Sequence, residues 1–510
     1  MMEKMTRSVI VVGGGTAGWL TAGLIAARHK GHVKVTLIES PNVKIIGVGE
    51  GTWPTIRTTL KRIGVSETDF LRACDGTFKQ GSAFIDWTTG NDAYYHPFML
   101  PKAYDAINLA PYWQADPQGL SFADAVCYQP AACAQNLAPK QITTPEYQAV
   151  TNYAYHLDAG KFAGFLRDHC IEKLEVSHIL ADVTQVETDA DGYITQLQAA
   201  GREPVAGDLF IDCTGFLSLL IGKHYGVPFN SVSDRLFIDT ALAVQVPYAD
   251  ESAPIASVTK SIAQRAGWIW DVGLTTRRGL GHVYSSRFTT DDEALEDLKT
   301  YLGPQGEALT RDDVRKIPIN SGYREVTWVK NCAAVGLASG FVEPLEASSI
   351  VMAELSAQMI ADQLPVNRAA MAVVARRFNE TIRYRWERIV DFLKLHYVLS
   401  TRDEPFWVAN RDSQTIPESL KDLLTLWRNH FPWHEDLDRR EELFPTASFQ
   451  YVYFGMDGRT DPGPFPVTPE WPAAHGHFRD VARARQAVTG QLPDTRELLK
   501  KVSSFGFQKV

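Results

Sequence analysis

Glycines near the start of the chain have the spacing with which a backbone can bind a pyrophosphate. Residues 7–40 read RSVIVVGGGTAGWLTAGLIAARHKGHVKVTLIES, where Gly13, Gly15 and Gly18 follow an apolar run. Small residues at this spacing let main-chain N–H groups at a helix N-terminus approach phosphate oxygens, and an acid about 20 residues later can bind a ribose hydroxyl. Glu39 stands at that place. The segment therefore predicts a dinucleotide site.

The elements that must position these glycines can be predicted from the same segment. Ser8–Val12 is apolar enough for a buried strand, the alanine-rich residues after Gly18 predict a helix, and a second strand should end at Glu39. Because the whole strand-helix-strand order is present, a dinucleotide site is favoured over a turn that is merely rich in glycine. Strands and helices do not alternate regularly after residue 40, which argues against a simple NAD-dependent dehydrogenase.

Two later segments have the form of elements that return to the same cofactor. GDLFIDCTGF, residues 207–216, predicts a buried strand that runs into a glycine turn, although an ordinary core strand would look the same. Residues 331–364, NCAAVGLASGFVEPLEASSIVMAELSAQMIADQL, predict a strand, a turn with a proline and a helix. Distant segments that converge on one cofactor are typical of FAD-binding folds, so FAD is the favoured dinucleotide.

Two charged residues could take part in chemistry, but each has a simpler explanation when it is taken alone. Lys79 in FKQG has a type of side chain that is usually solvated at the surface. Glu346 in PLEASSI could compensate the dipole of a helix that starts near Ser348 or Ser349. Neither residue indicates a catalytic role without further context.

The segment GWIWDVG, residues 267–273, places two indoles close together. Read as a β-strand, it puts Trp268 and Trp270 on one face, about 7 Å apart, because side chains alternate with a period of two. An aromatic core strand explains this pattern without a functional role.

Length and composition limit the classes of protein to which the chain can belong. It has 510 residues, of which 45% are hydrophobic and 22% are charged, so it can bury a large core. We expect one catalytic module built from two interleaved parts. The net charge of -9 argues against nucleic acid as a partner, because a nucleic-acid-binding surface needs a basic footprint.

The cysteines and the start of the sequence favour an intracellular protein. The six cysteines are scattered without a CxxC pair, which indicates neither a zinc site nor a disulfide framework, and we expect no metal. The first residues, MMEKMTRSVIVVGGG, contain too short an apolar run for a signal peptide, and no run approaches the length of a membrane span. We therefore expect a cytoplasmic protein without a membrane partner.

Five short motifs, in this order, resemble one enzyme family. The motifs are Gly13–Gly18 followed by Trp19, GVGEGTWP at 47–54, FKQGSAFIDW at 78–87, Trp268-x-Trp270 and GFVEPLEASSI at 340–350. Over roughly residues 7–400 the chain resembles the flavin-dependent halogenases, most closely their tryptophan and indole branch. An ordered set of motifs is far more specific than a shared fold class.

The resemblance implies an α/β (α+β) fold. It predicts an FAD-binding Rossmann-like domain of the aromatic-hydroxylase type, a substrate part that contains a sheet, and a mostly helical C-terminal part. We expect residues 1–400 to form the FAD-binding module, interleaved with substrate-binding segments at about 80–150 and 225–330. Residues 401–510 should form a C-terminal region that covers the substrate.

The resemblance also implies a reaction. In the family, FADH2 from a separate flavin reductase, oxygen and chloride or bromide give hypohalous acid, which moves through the protein to a separate site for an aromatic substrate. Lys79 matches the family's essential lysine, which either holds the hypohalous acid by hydrogen bonding or forms a haloamine. Glu346 matches the carboxylate that polarises the oxidant or accepts the proton lost from the ring.

The matching motifs also indicate which residues bind the cofactor and the halide. The backbone amides of Ser348 and Ser349, which stand where the family commonly has Thr-Gly, are the predicted halide site, and the preference between bromide and chloride is left open. Gly51 and Trp53 stand where the family has a small and an aliphatic residue, in a strap between the flavin and substrate sites. The residues predicted to bind FAD are Gly13, Gly15, Thr16, Ala17, Gly18, Glu39, Gly49, Glu50, Val183, Leu337 and Ile350.

The substrate site predicted from the resemblance is aromatic. His96 and Phe98 in YYHPFML match a pair that sandwiches an indole, although two half-buried loop aromatics would explain them equally well. Trp268 and Trp270 match a barrier between substrate and flavin. Gly273 stands where the family has a proline, and glycine gives the backbone more conformational freedom at this place. The clamp for the amino-acid backbone of tryptophan has no match, so indole, a tryptophan-like compound or another electron-rich aromatic is expected.

Two other functions are open to a chain with these motifs. An NAD(P)H-dependent FAD aromatic monooxygenase would share the glycine motif and Glu39 but would have no need of Lys79 and Glu346. A non-catalytic flavin-binding protein could retain the fold alone. For the halogenase we expect a flavin reductase as functional partner, with FADH2 passing by diffusion, and a homodimer is one option for the assembly.

Overall fold

The chain forms two compact units, each built from three separate segments. Unit 1 contains Met1–Asp75, Leu157–Val232 and Asn320–Glu387, and unit 2 contains Gly76–His156, Ser233–Ile319 and Arg388–Val510. The structure is a computed structural model that describes residues 5–43, 49–439, 442–464 and 470–509. Gly47 and Val48 of the motif GVGEGTWP lie outside the described residues.

Helices and strands alternate irregularly along the chain. The first stretch contains β1 (Ser8–Val12), α1 (Thr16–Arg28), β2 (Lys34–Glu39), β3 (Gly49–Gly51), α2 (Thr55–Arg62), α3 (Glu67–Ala73), β4 (Thr77–Lys79), β5 (Gly81–Ile85), β6 (Ala93–Pro97), α4 (Ala110–Ala115), α5 (Phe122–Val126), α6 (Gln129–Ala134) and β7 (Ala154–Asp158). The second contains α7 (Ala159–Leu174), β8 (Ser177–Leu180), β9 (Val183–Thr188), β10 (Ile194–Ala199), β11 (Val205–Ala206), β12 (Leu209–Asp212), β13 (Phe229–Ser231), β14 (Thr240–Pro247), β15 (Thr259–Gln264), β16 (Gly267–Gly273), β17 (Arg277–Tyr284), α8 (Asp291–Leu302) and β18 (Arg315–Pro318). The third contains β19 (Gly322–Arg324), β20 (Trp328–Val329), β21 (Cys332–Ala334), β22 (Gly340–Phe341), α9 (Ser348–Asp362), α10 (Arg368–Val398), α11 (Pro405–Asn410), α12 (Glu418–Trp427), α13 (Thr446–Gly455), α14 (Trp471–Gln491) and α15 (Thr495–Phe505).

Unit 1 contains a six-stranded sheet in the order β20-β21-β12-β1-β2-β8. Neighbouring strands are parallel except for β20 and β21. α1 connects β1 to the parallel β2 and packs against α7 and α9. The predicted strand-helix-strand order is confirmed, with β1 at Ser8–Val12 and β2 ending at Glu39.

The core of unit 1 explains why its strands read as continuous apolar runs. A parallel sheet covered on both faces needs apolar residues at every position, and all of β12 is buried. The prediction that GDLFIDCTGF forms a buried strand is confirmed, and β12 lies directly beside β1. One buried cluster in this unit contains Ile10, Val12, Ile38, Ile194, Leu197, Phe210, Leu220 and Cys332.

Unit 2 contains a seven-stranded sheet in the order β18-β14-β17-β16-β15-β5-β6. Neighbouring strands are antiparallel except for β5 and β15. α8 packs on one face, where Ile269, Leu280 and Leu298 belong to one buried cluster. Because side chains alternate along β16, Trp268 and Trp270 lie on the other face of this sheet.

Helices form the end of unit 2. The described residues after 400 contain α11 to α15 and no named strand, so the predicted mostly helical C-terminal part is confirmed. α13 packs against β6, and α14 packs against α5 and α6. Together with the sheets of both units, these helices confirm the predicted α/β (α+β) fold.

Three chemical features of the described residues bear on the expectations from composition. The cysteines are free and buried. Within the described ranges no group of three metal-ligating side chains comes together. The same part of the chain has no helix that is both long enough and apolar enough to cross a membrane.

Candidate active site

The glycine loop of unit 1 has the shape that a pyrophosphate requires. Gly13 has a φ of +115°, and a Cβ there would lie 2.2 Å from the carbonyl oxygen of Cys213. A Cβ on Gly18 would lie 1.9 Å from the carbonyl oxygen of Gly13, whereas Gly15 faces open space. Gly15 caps α1 without a side-chain hydrogen bond, so the positive end of the helix is available to phosphate oxygens. These residues fit a bound dinucleotide.

Glu39 lies against this loop at the end of β2. A Cβ on Gly14 would be 2.1 Å from the carboxyl carbon of Glu39, so only glycine lets the carboxylate approach. Glu39 Oε2 is 3.1 Å from His178 Nε2, and both side chains are 21% exposed. The His178 ring contacts Trp19 edge-on at 5.2 Å. Glu39 is thus fixed beside the loop and still open to a ribose hydroxyl.

A second group of predicted cofactor residues converges on the start of α1. A Cβ on Gly336, in the turn that carries Leu337, would be 2.7 Å from the Cβ of Ala17. Ile350 lies in the first turn of α9, the helix that packs on α1. The buried Asp212 carboxylate accepts hydrogen bonds from the main chain of Thr214 and of the two residues Leu220 and Ile221. These hydrogen bonds fix the segment that follows β12, whose residue Cys213 lies against Gly13.

The remaining predicted cofactor residues lie elsewhere in unit 1. Val183 begins β9 and packs against the apolar cluster around Ile10. Gly49 and Glu50 lie in β3. Burial raises the pKa of Glu50 to about 7, and the nearby carboxylate of Asp158 adds to the shift. Contact of these residues with FAD stays a prediction.

Glu346 lies in a strained turn that leads into α9. Its φ and ψ are 60° and 15°, and those of Ala347 are 52° and 44°, so two successive residues that are not glycine are left-handed. Such a conformation costs on the order of 1–3 kcal/mol per residue and persists only where surrounding contacts fix it. The Glu346 side chain is 4% exposed. Glu346 lies two residues before Ser348, where α9 begins. It is thus outside the first turn of the helix, where an acid would compensate the helix dipole.

The residues predicted to hold the halide form the first turn of α9. The helix begins at Ser348, as the sequence indicated, and its cap residue Ala347 makes no side-chain hydrogen bond to the turn. The amides of Ser348 and Ser349 thus lie at the positive end of the helix dipole. An anion would be favoured there, and halide binding by these amides stays a prediction.

A buried carboxylate ties α2 to α9. Thr59 Oγ1 donates a hydrogen bond of 2.6 Å to Glu354 Oε1, and Thr55 Oγ1 donates one of 3.1 Å to Oε2. Glu354 is fully buried. Burial raises the pKa of Glu354 to about 7, although the two hydroxyl groups lower it. The segment after Trp53 is therefore anchored to the middle of α9.

Replacing Glu354 with glutamine should stabilise the protein at alkaline pH. The unfolded chain releases the proton of this carboxyl near pH 4.5, but the folded chain releases it only near pH 7. As the pH rises between these values, the free energy of unfolding of the wild type therefore falls relative to that of Glu354→Gln. The difference reaches about 3 kcal/mol above pH 8. Urea unfolding of both proteins at pH 4 and pH 8 measures the difference. The exposed Glu203→Gln should show none, and an equal difference at both pH values would contradict the assignment.

Lys79 is fully buried at the end of β4 in unit 2. The prediction for an isolated lysine, a solvated surface side chain, is wrong here. Its Nζ lies 5.3 Å from the centre of the Phe98 ring, within reach of a cation–π interaction. The amide N–H of Phe98 donates a hydrogen bond of 3.1 Å to the carbonyl oxygen of Gln80, next to Lys79 in the chain. The lysine and the predicted substrate residue Phe98 are therefore neighbours.

A buried histidine accompanies the lysine. His156 lies opposite Thr77 in the β4-β7 pair, and Lys79 lies opposite Ala154, so all four side chains share one face. His156 Nε2 is 2.8 Å from Thr259 Oγ1. Burial and the positive charge of Lys79 hold the pKa of His156 well below its ordinary range. The ring is neutral and adds no second positive charge beside Lys79.

His96 is packed among aromatic rings. It lies in β6 opposite Ser82, and its ring is 5.6 Å from that of Phe392 and 6.1 Å from that of Tyr451. His96 is 2% exposed and Phe98 is 8% exposed, so the explanation as half-buried loop aromatics is wrong. Their contact with a substrate ring stays a prediction.

The tryptophan pair lies in a strand that is paired along its whole length. β16 spans Gly267–Gly273, and every residue in it is buried. The Trp270 ring fills the space beside Gly281, where a Cβ would be 2.0 Å from the ring. Gly273 pairs with Arg278, and its carbonyl oxygen accepts a 2.6 Å hydrogen bond from Thr77. The sequence predicted a flexible backbone at this glycine, but its pairing within the sheet restricts the backbone conformation there.

A comparison of the sequence with known families decides the family. The sequence model of the tryptophan halogenase family matches residues 8–463. The chain belongs to the tryptophan halogenase family.

Individual tryptophan halogenases agree with the family match over nearly the whole chain. The solved tryptophan halogenase from Shewanella frigidimarina NCIMB 400 has 47% sequence identity and a TM-score of 0.96, and 100% of each chain is covered. Tryptophan 6-halogenase ThaL from Streptomyces albogriseolus is 34% identical over 98% of this chain and 99% of its own. Tryptophan 7-halogenase RebH from Lentzea aerocolonigenes is 34% identical over 84% of this chain and 83% of its own.

Membership of the tryptophan halogenase family confirms the predicted class of enzyme. The chain is a flavin-dependent halogenase that uses FADH2 from a separate flavin reductase together with chloride or bromide. The aromatic monooxygenase and the non-catalytic flavin-binding protein are therefore set aside.

Several residues of this halogenase were missed by the sequence patterns. His156 and His178 stand alone in their strands, so no motif connected them with Lys79 and Glu39. Glu354 lies in a segment that was read only as a helix. A polar residue inside an otherwise apolar run was the available signal for Asp212 and Glu354, because such a residue needs a partner when it is buried.

Proposed function

We propose that the chain halogenates the ring of an electron-rich aromatic compound such as tryptophan or indole, with Lys79 and Glu346 as its catalytic residues. One observation carries this proposal. Lys79 is fully buried beside the Phe98 ring and on the same face as a neutral histidine. A buried ammonium group next to an aromatic ring and a neutral histidine can hold an oxidant beside a flat aromatic substrate, away from bulk water.

The proposed cofactor residues follow the geometry of unit 1. FADH2, when bound, supplies the electrons for the reduction of oxygen that makes hypohalous acid from a halide. The glycine loop and the first turn of α1 hold the pyrophosphate, and Glu39 accepts a hydrogen bond from the ribose. The amides of Ser348 and Ser349 hold the halide. Gly49, Glu50, Val183, Leu337 and Ile350 complete the proposed contacts.

Lys79 holds the oxidant in this proposal. Its ammonium group donates a hydrogen bond to the oxygen of the hypohalous acid and makes the halogen more electrophilic, or its amine forms a haloamine. Both routes need Lys79 in a site without bulk water, where a hydrogen bond from a charged group is strong. Phe98 and His96 supply aromatic surfaces for a flat ring. Trp268 and Trp270 keep that ring from the flavin.

Glu346 completes the substitution. When the carbon–halogen bond forms, the ring carries a positive charge until it loses the proton at the same carbon. The Glu346 carboxylate accepts this proton. The halogen–oxygen bond breaks as the halogen leaves, and the hydroxide takes a proton from Lys79 to become water; in the haloamine route this water is released when the nitrogen–halogen bond forms, and the nitrogen–halogen bond then breaks as the halogen passes to the ring. FADH2 reaches the enzyme by diffusion from the reductase.

The product formed in a reconstituted reaction tests this function. Enzyme, FAD, a flavin reductase, NADH, oxygen and bromide or chloride are incubated with indole or tryptophan, and products are identified by mass spectrometry. We expect a monohalogenated product that requires the reductase. The matched control omits the halide. A hydroxylated product, or consumption of NADH without the reductase, would contradict the proposal.

A further inference from the structure

The indole of Trp53 contacts the main chain of Glu346. Trp53 Nε1 donates a hydrogen bond of 2.7 Å to the carbonyl oxygen of Glu346. Trp53 is 8% exposed, so this hydrogen bond is shielded from water. The hydrogen bond joins the segment before α2 to the turn before α9, across 293 positions of the chain.

The accepting carbonyl lies between two left-handed residues. The peptide group that joins Glu346 to Ala347 connects φ, ψ values of 60°, 15° and 52°, 44°. The amide N–H of Ala347 donates a 3.0 Å hydrogen bond to the carbonyl oxygen of Pro344, which closes the turn on its other side. A strained peptide keeps its orientation only where neighbours fix it. The Trp53 indole fixes the oxygen of this peptide, and the direction of the Glu346 side chain depends on that orientation.

Trp53 is itself held from two directions. Its own hydrogen bond reaches the turn before α9, and the helix that follows it, α2, is bound to Glu354 in α9 through Thr55 and Thr59. The short segment from Trp53 to Thr59 therefore spans α9 from its start to its middle. An indole anchored in this way can restrict the backbone conformation of the turn at Glu346.

We propose that Trp53 is a positioning residue that holds the backbone of Glu346 so that its carboxylate points at the substrate. This inference rests on the proposed catalytic role of Glu346. Without the indole N–H the turn can relax toward less strained conformations, and the carboxylate is then correctly placed for only part of the time. We expect the turnover number to fall about tenfold, as for the loss of one buried hydrogen bond. The KM for the aromatic substrate should stay unchanged.

Trp53→Phe tests this inference against a matched control. Phenylalanine keeps an aromatic ring but has no N–H. Trp328 makes the same kind of contact in unit 1, because its Nε1 donates a 3.0 Å hydrogen bond to the carbonyl oxygen of Lys330, a left-handed residue with φ 52°. Trp328→Phe should lose a similar amount of stability without the fall in turnover. Equal turnover numbers for the two variants would overturn the inference.

A double-mutant cycle separates positioning from general destabilisation. If Trp53 acts through Glu346, Trp53→Phe should slow the wild type about tenfold but change Glu346→Gln by less than about twofold. A full tenfold effect in both backgrounds would overturn the inference. If Glu346→Gln itself turns over at the wild-type rate, the catalytic role of Glu346 fails, which is a different outcome from a normal rate in Trp53→Phe alone.

Two further measurements do not depend on turnover. Hydrogen exchange of the peptide containing residues 340–350 should be faster in Trp53→Phe than in the wild type and in Trp328→Phe, and unchanged exchange would overturn the inference. If Trp53→Phe does not fold, 3-benzothienylalanine at position 53 keeps the shape of the indole and replaces N–H by sulfur. It should give the same tenfold loss of turnover, and a wild-type rate would overturn the inference.

Discussion

Replacing Lys79 with methionine should reduce halogenation about a thousandfold, while FAD still binds and reduced flavin still consumes oxygen. Methionine is similar in length to lysine and suits a fully buried position, so the change removes the charge and the N–H donors with little loss of packing. Lys79→Ala should give the same loss of product, with an added loss of stability from the cavity. The oxidant would still form, but no group would hold it beside the ring.

Product yield per molecule of bound FAD measures this effect, with flavin binding followed by absorbance. Lys394 provides the control, because it is another fully buried lysine of unit 2, and its Nζ donates to the carbonyl oxygen of Arg235 and to Asn410 Oδ1. Lys394→Met should lower stability and leave turnover of the folded protein near that of the wild type. Normal product yield from Lys79→Met would remove Lys79 from the mechanism.

The elements around the cofactor could be predicted because their signals are local. The apolar run before Gly13 and the spacing of the glycines predicted β1 at Ser8–Val12, a helix after the glycines and the end of β2 at Glu39, and α1 begins at Thr16. A helix start near Ser348 or Ser349 was predicted in the same way, and α9 begins at Ser348. Strand and helix periodicity extend over only a few residues, so a single sequence contains them in full.

The contacts that shape the site could not be predicted because they join residues far apart in the chain. Trp53 and Glu346 share a hydrogen bond across 293 positions, and Glu39 and His178 share one across 139. No periodicity links such pairs. The left-handed turn at Glu346 was hidden for a related reason, since residues other than glycine adopt it only when tertiary contacts compensate its cost.

The burial of Lys79 was predicted poorly from sequence patterns. Lys79 taken alone predicts a surface residue, and only its position within a family motif suggested otherwise. The structure places it in a strand whose three residues are all buried. Its ammonium group faces the Phe98 ring, and burial together with this charge holds the pKa of His156 well below its ordinary range. The type of a single residue in the sequence does not indicate such an environment.

Replacing Glu346 with glutamine should lower the turnover number about a hundredfold or more, while the aromatic substrate still binds. Glutamine has nearly the same shape as glutamate, and the hydrogen bond from Trp53 is made to the main chain, so the strained turn should be retained. The amide cannot accept the proton that the ring loses after halogen addition. Loss of this proton should then become the slow step of the reaction.

A substrate that carries deuterium on its ring tests that consequence directly. In Glu346→Gln we expect a primary isotope effect on the turnover number that is larger than in the wild type, because breaking the carbon–hydrogen bond limits only the variant. Trp53→Phe should give an intermediate effect, since it keeps the carboxylate and disturbs its placement. The exposed Glu203→Gln should behave as the wild type. A wild-type turnover number and isotope effect in Glu346→Gln would assign proton removal to another group.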